Sequence, residues 1–248
     1  MNYKIKYPTE LGEVKLKDLL TFSKLDKGNE QLIMYKAFEL FTSTSKEALQ
    51  LIPYTVAEKV IKGITETLNS TPKERLIIEL DGVKYGRIPN LENISFGELI
   101  EMDTFGTMLA EGEAVHENAF KFLSCLWRPI IDEVEVRNGQ NIYSIEPFTN
   151  EYLESDHWLR FQEHCPSDIY ATSIRFFLTL RIELLKAMQV YFKGVKVAGH
   201  ENSSQKLMDG MEVLKHTQQE HLEHLMQPLM ILMELPCISY NMMQKQDS

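Results

Sequence analysis

Residues 168–193, DIYATSIRFFLTLRIELLKAMQVYFK, form the longest apolar helical pattern in the chain, and its reading decides the fold. Ile169, Ile174, Phe176, Phe177, Leu180, Leu184, Leu185, Met188 and Tyr191 make a stripe too wide for one shallow contact, so the segment is expected to run through the core. Burial of each Phe or Leu stabilises by roughly 1.5–3 kcal/mol, enough for this helix to anchor the rest. Arg175, Arg181, Glu183 and Lys186 interrupt the stretch Ile169–Val190 too often for a membrane span. Pro166-Ser167 marks its start and Gly194 is a plausible C-terminal cap.

Working outward toward the N-terminus, the next signals are local ones. Thr149–Glu163 reads as helix. Ile131–Arg137 and Gln140–Ile145, joined by Asn138-Gly139, read as a hairpin, because Asn-Gly supplies the positive φ that a tight turn needs. A helix is expected over Glu113–Trp127, ended by Arg128-Pro129. Leu76–Leu80 and Val83–Ile88, joined by Asp81-Gly82, form the other expected hairpin. Three hydroxyl–glutamate pairs have capping-box spacing: Thr44 with Glu47, Thr55 with Glu58 (opening Val56–Asn69), and Ser95 with Glu98 (opening Phe96–Ala110). Glu30–Phe41 and Lys15–Leu25 carry helical apolar spacing, broken between them by Gly28-Asn29, and Tyr3–Tyr7 alternates like a short strand.

Toward the C-terminus, polar Ala198–Ser204 separates a body, residues 1–197, from an arm, residues 198–248. Gln205–Leu235 is expected to be helical apart from Gly210 and a kink at Pro228, with Pro236 ending it. The fold class that follows is α+β, predominantly α-helical, with two small β-hairpins near residues 76–88 and 131–145 and a helical C-terminal arm.

With 36 acidic against 26 basic side chains, the net charge is −10. That surface repels phosphate backbones, and no dense Lys/Arg run offsets it, so no sequence-specific nucleic-acid partner is expected. Cys125, Cys165 and Cys237 are scattered and odd in number, which fits a reducing compartment, and MNYKIKYPTE lacks a signal-peptide core. A soluble intracellular chain is the expectation.

Chemistry-bearing clusters are few. His216, Glu220 and His224 share a helical face at i, i+4, i+8, with His221 and Glu223 beside them, and a metal-dependent enzyme would have to be built there. The spacing is neither HExxH nor the Glu-x-x-His of di-iron bundles, and a solvated helix face accounts for it better. His157, Glu163, His164 and Cys165 offer a second grouping, in which Cys165 reads more readily as a small buried hydrophobe than as a nucleophile. Asp81, Asp103, Asp132, Asp156 and Asp168 fall in expected turns and helix starts without metal-ligand spacing. No GxxxxGK[ST], GxGxxG after a strand, or GxSxG occurs, so no catalytic residue, cofactor or metal is assigned. The conspicuous feature is methionine: seven of twelve, Met208, Met211, Met226, Met230, Met233, Met242 and Met243, lie in the arm. Flexible, polarizable side chains of this kind adapt to irregular partner surfaces, and they are the candidate partner-binding residues, with packing on the chain's own core as the alternative.

Four ordered segments carry a resemblance: YGRIPNLENISFGELIEMDTF (Tyr85–Phe105), FKFLSCLWRPI (Phe120–Ile130), YSIEPF (Tyr143–Phe148) and DIYATSIRFFLTLRIELL (Asp168–Leu185). Their order resembles a group of tailed-bacteriophage virion and assembly proteins of the kind encoded by crAss-like phages. Where such proteins typically carry Tyr-Arg-Pro, this chain has Trp127-Arg128-Pro129, and its long arm departs from the pattern. The resemblance implies a non-enzymatic structural or assembly protein, made in the host cytoplasm and carried in the virion. It implies a ring of identical copies in the portal-proximal or tail apparatus, with other virion proteins as further partners and no membrane. A tail-assembly chaperone absent from the mature particle is the alternative.

Overall fold

Leu16, Leu19, Leu20 and Phe22 recur at helical spacing, and α1 (Leu16–Ser23) buries all four. The structure, a computed structural model, describes residues 5–25, 28–88, 94–132, 135–137, 140–149, 151–152 and 155–194. The expected arm, residues 198–248, and the boundary before it lie outside the described residues. Of the expected strand Tyr3–Tyr7, residues 5–7 are not strand and the remainder lies outside.

Asn29 caps α2 (Glu30–Thr42), its side chain accepting from the Leu32 N–H at 3.0 Å. Phe41 then meets Phe22 edge-on, ring centroids 5.2 Å apart, which joins α2 to α1. Two of the expected capping boxes are displaced. α3 (Lys46–Gln50) is capped by Ser45, not Thr44: the Ser45 hydroxyl accepts from the Ala48 N–H, while Thr44 is engaged with the Thr42 hydroxyl. α4 (Tyr54–Leu68) starts one residue before Thr55, because Pro53, at φ −57°, leads directly into the first turn and its carbonyl accepts from Val56 and Ala57. Thr55 is therefore inside the helix. The third box is realised: Ser95 and Glu98 cap α5 (Phe96–Ala110) reciprocally.

β1 (Ile77–Leu80) and β2 (Val83–Arg87) pair antiparallel through Asp81 and Gly82, both at positive φ (51° and 74°). α6 (Val115–Leu126) stops one residue before the expected end. Trp127 is already extended, and β3 (Trp127–Pro129) adds to β2 with Gly86 opposite Arg128. A residue preceding proline is biased to extended backbone, and a proline on this strand sacrifices one donor only, so the dipeptide that ends the helix also starts a strand. The first hairpin is thus two-thirds of a three-stranded sheet, order β1-β2-β3. The second hairpin is β4 (Glu135–Arg137) against β5 (Gln140–Ile142), whose turn residues 138–139 lie outside the described residues. Its stem returns to β3, with Ile131 N–H on Ser144 C=O and Glu146 N–H on Pro129 C=O.

Thr149–Glu163 is not one helix. Residues 151–152 are helical, Ser155 turns back onto the Tyr152 carbonyl with both its amide and its hydroxyl, and α7 is His157–His164. α8 (Ser167–Gly194) is the expected core helix over its first two turns, where every residue from Ser167 to Ile174 is buried. Beyond that one side stays buried through Phe177, Leu178 and Leu180, while Arg175, Thr179, Ile182, Glu183 and Lys186 are exposed. The start of α8 is stitched to the start of α1: Ser167 N–H donates to Val14 C=O and Leu16 N–H to Cys165 C=O, both at 2.8 Å. The apolar core runs from Leu11 to Leu178 and includes residues of all the long helices and the sheet.

Candidate interaction surface

The four segments that carry the resemblance meet around Trp127-Arg128-Pro129. Glu98, which caps α5 with one oxygen, holds its other oxygen 2.6 Å from the Arg128 guanidinium, and both side chains are buried. Trp127 Nε1 donates to Ser173 Oγ at 2.8 Å, tying β3 to α8. The Tyr152 hydroxyl donates between the carbonyls of Ser124 and Trp127, and burial pushes that phenol far up from its usual range. Gly86 has no side chain because the Tyr143 ring lies 2.3 Å from where its Cβ would be, and the Tyr143 hydroxyl caps the carbonyls of Arg87 and Leu76.

A second polar group lies where the chain enters β1. Glu74 bridges Arg87 and Arg175, and Arg87 stacks over the Phe176 ring at 4.5 Å. Arg75 reaches the buried Asp168 carboxylate at 2.9 Å, across the space that any side chain at position 12 would fill. Asp103 stands mid-helix in α5 and pairs with Arg181 of α8 at 2.9 Å. Asp81 stands in the β1–β2 turn and Asp168 in the first turn of α8, as expected, whereas Asp103 is inside a helix. Sequence spacing has no signal for either pair, since the partners are 78 and 93 positions away.

The grouping His157, Glu163, His164 and Cys165 does not converge. His157 stacks on Tyr152 with centroids 4.9 Å apart, Glu163 pairs with Lys17, and Cys165 is buried with its thiol on the Pro166 carbonyl. Burial raises the thiols of Cys165 and Cys125 well above their ordinary range, which keeps both protonated and unreactive. Among the described residues, no three His, Cys, Asp or Glu side chains are placed to hold a metal ion. No described helix is long and apolar enough to cross a membrane. His216, Glu220 and His224, and the arm methionines Met208, Met211, Met226, Met230, Met233, Met242 and Met243, lie outside the described residues.

The described surface also carries exposed apolar side chains. α5 buries Glu98, Met102, Gly106 and Leu109, and on its opposite side, beside the polar Asp103 and Thr104, Phe96 is 77% exposed and Ile100, one turn on, 46%. Single exposed hydrophobes are ordinary, and the phenylalanine and isoleucine adjacent on one helical turn make a small apolar patch of the kind a contact covers. Asp103 shares that side and is held by Arg181 of α8. Sequence reading placed Phe96 and Ile100 on this helix without separating its buried from its exposed side, because the apolar pattern runs around it. Compared with models of known protein families, with curated proteins and with solved structures, the chain has no match in any of the three.

Proposed function

We propose that the chain is a non-enzymatic structural or assembly component of a tailed-phage particle, joined into a ring of identical copies in the portal-proximal or tail apparatus. The phage assignment is carried by the resemblance of Tyr85–Leu185. The observation that supports a role in contact rather than catalysis is the exposed pair Phe96 and Ile100 on α5, set beside polar groups already engaged in buried pairs and caps. In a heterologous ring each copy presents such a patch to a fixed neighbour, which removes it from water at every interface. The arm methionines, from Met208 to Met243, supply a second adaptable contact toward other virion proteins.

The same methionine-rich arm also fits a tail-assembly chaperone that clamps another chain and leaves before maturation. Mass spectrometry of purified particles separates the two. Presence at a defined stoichiometry to a known virion component supports the structural role; presence in infected lysate alone supports the chaperone. A purified protein that is monomeric at high concentration and absent from both assembly intermediates and particles overturns the proposal.

A further inference from the structure

Phe96 and Leu51 are the two most exposed large apolar side chains among the described residues, at 77% and 75%. Each has a second one within a helical turn of chain: Ile100 follows Phe96, and Tyr54, 48% exposed, follows Leu51. The remaining members of that set, Leu32, Leu76, Ile131, Leu159 and Ile182, stand singly along the chain. The two pairs belong to different parts of the fold. Leu51 and Tyr54 form the corner between α3 and α4, both of which pack on α2, whereas α5 packs on α6. Their surroundings differ in charge. Residues 95–120 contain six acidic side chains and no lysine or arginine. Glu98, Asp103 and Glu117 are taken up by Arg128, Arg181 and Lys121. Glu101, directly after Ile100, and Glu111 and Glu113, past the helix end, make no ion pair among the described residues. At the other corner, Lys59 and Lys62 are exposed on the next two turns of α4 and are likewise unpaired, with only the half-buried Glu58 between Tyr54 and Lys62 to oppose them.

We infer that these two patches meet between copies: Phe96 and Ile100 of one chain dock on the Leu51–Tyr54 corner of the next, with the lysines of α4 turned toward the free carboxylates of α5. The inference rests on the ring reading proposed for the chain and names the surfaces that would build it. A head-to-tail contact requires two unlike patches that complement each other on every copy, whereas a two-fold contact requires one patch that complements itself. The α5 patch does not complement itself, because two copies face to face would bring Glu101 against its own kind, and like charges across an interface are disfavoured. Set against the α3–α4 corner, the same patch buries apolar surface on apolar surface and places negative charge opposite positive. Each chain carries both halves, so no second protein is needed to cover either.

The test uses full-length protein and sedimentation. One variant, Phe96→Ser with Ile100→Ser, loses the α5 patch; the other, Leu51→Ser with Lys59→Glu, loses the α3–α4 corner. All four positions are exposed, and near-ultraviolet circular dichroism checks that both variants keep the parent fold. The parent protein should associate, and each variant alone should be monomeric at the same concentration. An equimolar mixture should form a heterodimer and nothing larger, because one intact contact survives per pair. If the parent associates but the corner variant alone still does so, or the mixture stays monomeric, the inference is overturned while the ring reading stands. A monomeric parent overturns both. Charge exchange repeats the test without touching an apolar residue. Lys59→Glu with Lys62→Glu should lose association alone and regain it when mixed with Glu101→Lys and Glu111→Lys in a second chain; no recovery also overturns the inference.

Discussion

Arg128 and Glu98 form a buried ion pair, 2.6 Å apart, between the strand that follows α6 and the first turn of α5. The glutamate does two things at once, closing the helix cap and neutralising a buried guanidinium.

Removing one partner of such a pair leaves an uncompensated buried charge. Arg128→Met should therefore destabilise by about 3–5 kcal/mol, read as a lower urea midpoint. Adding Glu98→Gln removes the stranded charge and keeps an oxygen for the Ser95 amide, so the double variant should be more stable than Arg128→Met alone. If the two substitutions simply add, the pair is not coupled.

Ser95→Ala removes the hydroxyl that accepts the Glu98 N–H. The expected cost is about 1 kcal/mol, seen as a lower melting temperature. An unchanged melt would mean that α5 begins elsewhere.

Two carboxylates should respond to acid in opposite directions. Burial alone would raise Glu74, but the hydrogen bonds and charges of Arg87 and Arg175 outweigh it and hold its pKa below the ordinary value. Its stabilising contribution is present above the unfolded pKa and disappears as pH falls through the folded one. Glu74→Gln should thus lower the melting temperature at neutral pH, with the deficit closing in acid. Asp168 is raised, chiefly by burial, against the opposing charge of Arg75. Its ionised form costs stability, and the cost is relieved as pH falls through the folded pKa. Asp168→Asn should raise the neutral-pH melting temperature, with the gain shrinking in melts taken from about pH 7 down to about pH 3. A lower neutral-pH melt for Asp168→Asn would show that Arg75 outweighs burial.

Phe96→Ser with Ile100→Ser changes exposed positions, so stability should shift by no more than about 0.5 kcal/mol. Self-association, followed by sedimentation, should weaken. Loss of folding without loss of association would contradict the assignment of this side of α5 as a contact surface.

Truncation after Ser204 should leave the far-ultraviolet circular dichroism of the body intact, because Leu11 to Leu178 already form a continuous apolar core among the described residues. Binding to partners should fall with the loss of the methionines. An unfolded truncation product would place the arm inside the fold.

The sequence by itself determined the features that depend on a few consecutive residues. Asp81-Gly82 set a hairpin because its two positive φ values are a local property, and Ser95 with Glu98 set a helix start because both groups reach backbone three residues away. The stripe around Ile169–Leu180 marked the core helix because its spacing repeats at the helical period. Even local signals failed where two competed, as when Pro53 rather than Thr55 opened α4. Tertiary structure alone decided that Trp127-Arg128-Pro129 becomes a third strand, that Asp168 is buried against Arg75, and which side of α5 stays bare. Those outcomes depend on side chains brought together across 40 to 93 positions of chain, for example Arg87 opposite Trp127 and Arg75 beside Asp168. Chain folding in three dimensions, not spacing along the chain, sets such distances, and burial then turns each meeting into a charge that must be paired or an apolar face that must be covered.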